Sequence, residues 1–437
     1  MRKTTGLIAL VFAVLLGACD SEAVPPATVP TAPTAPLAPP AATAATAALA
    51  PPAATRPAAA TNTPSAADGV FGTNGPIPIG LAIALTGPAA AAGADEANGA
   101  KIAEKYFNDK GGVNGRPIRI VTQDTGGDEA GAIRAFMRLM DEERVIGIVG
   151  PTTSQQALAV GPVATRGRTP MLSPSTTAQG IPGIGEYVSR TGAPVSVVAP
   201  VAVAAAVRLH PDAKRAAIFY AQNDAAAVGE TEVFQTVAKM RGLTVVSVQK
   251  HQTTDPIFLS QVTAALAQRP DIAFVSGQLA DSSRVITQLR VSGFDGPVVG
   301  GDGVNATGPF SVCRAACNGV ILAQAYNPDA ANSANTTFKF AYLGQFKEDP
   351  PQLAAQTFAA VQVFVEALKV VDTKGPISAQ SLAAIRVALN VQAQTATYAT
   401  PLGDISFKER DIVQSEFYPA RVQVNADGIT GRFAFIR

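Results

Sequence analysis

From Ile77 onward, hydrophobic positions alternate between short runs and helical stripes. Residues 77–85 read as a strand, and residues 94–108 carry helical spacing that ends at Lys110-Gly111-Gly112, a C-cap signal. Residues 116–123 alternate through Ile118, Ile120 and Thr122, as a strand does, and residues 128–144 place Ile133, Phe136, Met137 and Met140 at helical spacing. A short buried strand at 145–149 precedes a helix starting at Thr152, and Met171-Leu172 makes a brief strand. The apolar stretch 193–209, with Pro194 and Pro200, reads as the start of a buried helix. A second series follows: strand 215–220, helix 228–240 ending at Gly242, strand 243–248, helix 256–268, strand 271–276, helix 282–291 ending at Gly293, and strand 297–300. Residues 335–391 are mostly helical, and 404–435 return to strand patterns. Alternating β and α units predict parallel sheets with helices on both faces. Two such series predict an α/β fold of two doubly wound parallel-sheet lobes. Ligands of open α/β sheets bind beyond the carboxyl ends of the strands, so the residues of interest sit just after strands.

The first 75 residues break this pattern. Arg2 and Lys3 precede an apolar run at 7–16, too short for a bilayer, which needs about 20 residues. A basic start, a short apolar middle and small residues before a cut describe an export signal. Leu16-Gly17-Ala18-Cys19 resembles a bacterial lipobox, with Cys19 as the lipidated first residue after a signal peptide at 1–18. The alternative is an ordinary secretory signal with a chance cysteine. Residues 23–67 are almost all Ala, Pro and Thr, with Arg56 as their only charge. Such a segment buries too little apolar surface to offset its ordering entropy. Residues 19–75 are therefore expected to be a lipidated cysteine plus a disordered spacer. Asp20 resembles the residue that retains many enteric lipoproteins at the inner membrane, which favours that membrane over the outer one.

Composition narrows the function. The chain has 437 residues, 15% of them charged, and a net charge of +1. That balance argues against nucleic acid, which asks for a basic face, and leaves membrane contact to the lipid. With Cys19 assigned, Cys313 and Cys317 remain; in an oxidising compartment they are expected to form a disulfide. A zinc site would need further ligands, and the chain has only His210 and His251. His210, before Pro211, reads as a helix C-terminal capping charge. His251 reads as part of a polar loop, and the acids as scattered over solvated faces. No phosphate-binding Gly-x-x-x-x-Gly-Lys-Ser/Thr loop and no Gly-x-Ser-x-Gly elbow is present. An enzyme is not expected, nor any cofactor or metal.

An ordered set of motifs carries a resemblance. Residues 79–88 (Ile-Gly-Leu-Ala-Ile-Ala-Leu-Thr-Gly-Pro) are followed by Gly93, Gly99 and Ala100, then by residues 108–117 (Asn-Asp-Lys-Gly-Gly-Val-Asn-Gly-Arg-Pro). Next come Asp124, Ile148-Val149-Gly150-Pro151 and Pro170-Met171-Leu172-Ser173-Pro174. This order resembles the leucine/isoleucine/valine-binding proteins, type I periplasmic solute-binding proteins of ABC importers. The resemblance implies two lobes joined by a three-crossover hinge that closes on ligand. It implies lobe 1 at 76–193 and 327–417, and lobe 2 at 194–326 and 418–437. It also implies a lipid-anchored receptor in the periplasm that delivers an amino acid or related small zwitterion or amide to an ABC permease. The competing reading on the same fold is an envelope sensor or regulatory interaction lipoprotein.

The resemblance also implies a site. A buried amino acid needs partners for its carboxylate and its ammonium. Hydroxyls and amides at a helix start suit the carboxylate, and the family places that end at Thr152, Thr153 and Ser154; plain helix capping is the competing reading. Ser175 and Thr177 match a segment that meets the ligand ammonium and carboxylate, against a simple polar turn. Asp302, on a glycine-rich loop, matches the family's ammonium-binding acid, against a turn aspartate bonding its own backbone. The chain departs from the family where aromatic rings are common: near 90–93 it has alanines and glycine, near 277–279 it has Gln278, and between Asn223 and Gly229 it has Asp224, three alanines and Val228. Gln278 and Asp224 are expected either to contact ligand or to lie in solvated loops.

Overall fold

The computed structural model describes Phe71, residues 75–305 and residues 309–436. Cys19, the signal segment and the expected spacer lie outside the described residues, except for Gly75 and for Phe71, which packs against the core and donates its amide to the Gln380 carbonyl at 2.9 Å.

The first series is β1 (Ile77–Ile83), α1 (Ala90–Asp109), β2 (Ile118–Asp124), α2 (Glu129–Met137), β3 (Ile148–Val149), α3 (Ser154–Arg166), β4 (Met171–Ser173) and β5 (Val188–Arg190). The second is α4 (Val195–Leu209), β6 (Arg215–Ala221), α5 (Ala225–Met240), β7 (Thr244–His251), α6 (Leu259–Leu266), β8 (Ile272–Ser276), α7 (Leu279–Val291), β9 (Val298–Gly300), α8 (Pro309–Val312) and β10 (Ile321–Gln324). The chain continues through α9 (Ser333–Phe346), α10 (Gln352–Lys374) and α11 (Leu382–Ala393). It ends in β11 (Tyr398–Thr400), β12 (Gly403–Lys408), β13 (Asp411–Val413), β14 (Tyr418–Val424) and β15 (Gly431–Phe435).

The strands form a five-stranded parallel sheet in the order β2-β1-β3-β4-β5, and a seven-stranded sheet in the order β15-β14-β10-β9-β8-β6-β7. A small antiparallel sheet joins β11, β12 and β13. Period-two alternation sends side chains to both faces of each sheet. Ile77, Ile79, Leu81 and Ile83 of β1 enter one core while Ala82 enters the opposite one. In β8, Ala273 and Val275 face one core, and Ile272 and Phe274 face the other. Strands buried on both faces are what helices above and below a parallel sheet require.

Several expectations need correction. The second sheet is mixed, because β14 pairs antiparallel with β10 and with β15. The helix expected at 94–108 starts at Ala90, so residues 90–93 are its first turn and not a loop. The helix expected at 228–240 starts at Ala225, with Asp224 as its N-cap. The helix expected at 128–144 stays α-helical only to Met137 and then widens into a π turn. His251 is not in a polar loop: it ends β7, is buried, and lies 2.8 Å from Asp281. Cys313 and Cys317 form the expected disulfide, with Cα atoms 5.5 Å apart.

Helix α10 is long and apolar enough to cross a membrane, but 83% of its apolar window is buried in the protein. It is a core helix packed on α1, and Gly99 permits the contact. A Cβ there would come within 2.2 Å of the Ala354 carbonyl oxygen.

Candidate functional site

Five strand ends converge on one cavity. β3 and β4 deliver Thr152, Thr153, Ser154, Ser175 and Thr177; β6, β8 and β9 deliver Asp224, Gln278 and Asp302. All eight residues line the same cavity, which has a volume of about 100 Å³. A single water needs about 10–15 Å³ of such space, so a small solute fits. Each sheet presents the loops flanking the point where its strand order reverses, β1/β3 in one and β6/β8 in the other.

The wall from the first sheet is rich in hydroxyls. Thr153 caps α3: its Oγ1 accepts the Gln156 amide at 3.2 Å, and Gln156 returns a bond to the Thr153 amide. The capping reading therefore holds for Thr153, which still lines the cavity. Ser154 Oγ accepts the amides of Thr177 and Ala178, each at 3.1 Å, which leaves its proton free to donate. The amides of Ser154 and Gln155 have no acceptor among the described hydrogen bonds, so the start of α3 points unpaired donors outward. Thr152 is differently engaged. Its Oγ1 accepts the Ala84 amide at 2.9 Å and lies 2.5 Å from Glu96. Ser175 Oγ lies 2.5 Å from Glu96 Oε1 and 2.6 Å from the Thr152 carbonyl. Buried Arg190 holds the loop behind them by donating to the Ala178 carbonyl at 2.6 Å, while its other nitrogens pair with Asp411.

The facing wall is acidic. Asp302 receives the Thr177 hydroxyl at 3.2 Å, a bond that spans the two walls. Burial pushes its carboxyl up to about 6, with Asp224 adding to the effect. Glu230 also lines the cavity; it accepts the Asp302 amide at 3.1 Å and bonds Ser276. Burial pushes Glu230 up to about 8, and Asp302 and Asp224 raise it further. Gly301 makes the room, since a Cβ there would come within 1.8 Å of Glu230 Oε2. Asp224 Oδ1 caps α5 through the Ala227 amide, and its Oδ2 accepts from Gln278 Nε2 at 3.2 Å. Gln278 is fixed in turn: its amide donates to Asp281, whose other oxygen meets His251. Asp224 is buried at the start of α5, and Gln278 is half-buried as the N-cap of α7. No Lys, Arg or His is among the residues lining the cavity.

Glu96 and Glu230 were not expected, because the acids read as solvated. Both are buried. The signal was present: Glu96 shares a helical stripe with Gly93, Ala100, Ala103 and Phe107, and Glu230 shares one with Ala227, Phe234 and Val237. An acid on an apolar stripe marks a buried carboxyl with hydrogen-bond partners.

The model of the periplasmic binding protein family matches residues 76–428. The chain belongs to that family. The Leu/Ile/Val-binding protein BraC3 of Rhizobium johnstonii is 27% identical over 290 residues, spanning 66% of this chain and 77% of that one. The fold matches the leucine binding protein LivK of Thermotoga maritima with a TM-score of 0.72 at 23% identity, over 83% of this chain and 99% of the other. It also matches a solute binding protein from R. palustris in complex with benzoate, with a TM-score of 0.70 at 20% identity, over 83% and 96% of the two chains. As a member of that family, the protein is an extracytoplasmic ligand-binding receptor and not an enzyme.

Proposed function

We propose that this periplasmic binding protein captures an amino acid or a related small zwitterion and delivers it to an ABC permease while tethered to the membrane through Cys19. The observation that carries the ligand reading is the polarity of the cavity. Unpaired donors at the start of α3 form one wall, and the carboxyls of Asp302, Glu230 and Asp224 form the other, with no basic side chain between them. The ligand carboxylate is assigned to the Thr153 and Ser154 hydroxyls and the α3 amides. Its ammonium is assigned to Asp302. Gln278 and Asp224 stand where the side-chain end of the ligand would lie, and they favour a polar group over a branched hydrocarbon. The name of the Rhizobium relative supports an amino acid.

A thermal-shift panel of the twenty amino acids and benzoate tests this reading. A binder at 100 times its dissociation constant adds about 2.7 kcal/mol to stability. At least one amino acid is expected to shift the transition and benzoate, which lacks an ammonium, is not. A shift with benzoate and none with any amino acid refutes the zwitterion reading. The tether is tested separately: cells fed radioactive palmitate should label the wild-type protein and not the Cys19→Ser variant. Equal labelling of both removes the anchor.

A further inference from the structure

Glu96 carries an observation that the ligand reading leaves unused. It is fully buried on α1, and no ion pair of the described residues includes it. Its two oxygens face two hydroxyls, Thr152 Oγ1 on Oε2 and Ser175 Oγ on Oε1, each at 2.5 Å. Ser175 Oγ is at the same time 2.6 Å from the Thr152 carbonyl oxygen. A serine hydroxyl has one proton. A carbonyl has none to give. Two oxygens at about 2.5–2.7 Å from one hydroxyl each need a proton on the line between them.

One arrangement places every proton. The Ala84 amide donates to Thr152 Oγ1, and Thr152 Oγ1 donates to Glu96 Oε2. Glu96 Oε1 carries a proton and donates it to Ser175 Oγ, which spends its own on the Thr152 carbonyl. With an ionised Glu96, one of the two contacts at Ser175 would set lone pair against lone pair.

We infer that Glu96 is a neutral carboxylic acid whose proton orients Thr152 and Ser175, making Ser175 a hydrogen-bond acceptor toward the cavity and leaving Ser154 and Thr153 as the hydroxyl donors. Glu96 is thus a positioning residue, since it reaches the cavity only through Thr152 and Ser175. Its surroundings agree. Burial pushes the carboxyl up to about 7, and its neighbour Asp95 on the same helix pushes it further. The segments carrying Thr152 and Ser175 present hydroxyls, α10 brings Leu353 to the cavity, and Tyr342 of α9, on which Asp95 also acts, is itself pushed up by burial. Across the cavity stand Asp224, Glu230 and Asp302. None of these groups supplies a positive charge that would favour the ionised form.

The consequence for recognition rests on the proposed ligand site. Ser175 accepts from an ammonium or hydroxyl of the ligand and does not donate to its carboxylate. The test does not rest on it, because it uses the ligand-free full-length protein. Glutamate labelled with ¹³C at its carboxyl is followed by NMR from pH 4 to 9, together with the amide resonances of Ala84 and Ser175. One glutamate resonance, absent from Glu96→Gln, is expected to titrate near pH 7 instead of near 4.5, and both amides are expected to move with the same midpoint. In Glu96→Gln the amide side chain donates to Ser175 and accepts from Thr152, so the Ala84 and Ser175 amides should stay in their low-pH positions throughout. Where that variant does not fold, Ser175→Ala identifies the resonance by displacing its midpoint. A Glu96 that titrates near 4.5, or amides that ignore its titration, overturns the inference. A failure of every amino acid to bind would leave these spectra unchanged and would count only against the ligand reading.

Discussion

Urea is expected to unfold this periplasmic binding protein more readily at pH 8.5 than at pH 5. Burial holds Glu96 up to about 7 and Glu230 up to about 8, against an ordinary 4.5. In the unfolded chain both ionise near 4.5. Between there and pH 8 the folded state holds more protons, so the stability these groups support is whole below pH 4.5 and is lost as pH rises through 7 and 8. At about 1.4 kcal/mol per pKa unit, the loss by pH 8.5 is about 3 kcal/mol for Glu96 and about 5 kcal/mol for Glu230. Asp302, held up to about 6, adds in the same direction. His210 works the other way, pushed down by burial and Arg421, but it is half-exposed and contributes less. Glu230→Gln should remove about half of the slope, because its amide keeps the hydrogen bonds and cannot ionise. Denaturation midpoints that hold steady or rise between pH 5 and 8.5 would show that these carboxyls are not held neutral.

The second large effect concerns Asp302. Asp302→Ala is expected to weaken an ammonium-bearing ligand by about 1.5–3 kcal/mol, the worth of a hydrogen bond to a charged group. Affinity should also depend on pH. The ligand prefers the ionised carboxylate, whereas the empty cavity holds Asp302 up to about 6. Below that value binding must expel a proton, and affinity should fall by about tenfold per pH unit. Asp302→Asn should lose this pH dependence along with the affinity. Calorimetry with an amino acid found in the thermal-shift panel measures both. Unchanged affinity in Asp302→Ala removes this residue from the site. Losing affinity without the pH dependence would assign Asp302 a role in shaping the loop.

Much of the fold could be read along the chain. Gly242 and Gly293 end helices as expected, at the left-handed φ values of 79° and 84° that glycine tolerates best. The strands of both series were recognisable because a parallel sheet buries both faces and so concentrates apolar residues. Helix starts were harder. Ala90-Ala91-Ala92 and Ala225-Ala226-Ala227 carry little amphipathic contrast, so periodicity alone does not mark the first turns they form. The antiparallel β14 was also hidden. Its alternation predicts a strand but says nothing about the direction of the neighbour it meets.

The site divides in the same way. Local spacing along the chain already says which residue types stand after which strands: Thr152 to Ser154, Ser175 and Thr177 after the first series, and Asp224, Gln278 and Asp302 after the second. Their position follows from local periodicity, which the chain carries in its own spacing. Which of those hydroxyls still have a proton to offer, and that Glu96 and Glu230 join them, follows from how the chain packs. Those outcomes depend on contacts between residues far apart in the chain, 79 positions for Glu96 with Ser175 and 125 for Thr177 with Asp302, and on the loss of water around them. Neither is written in the spacing of any single segment.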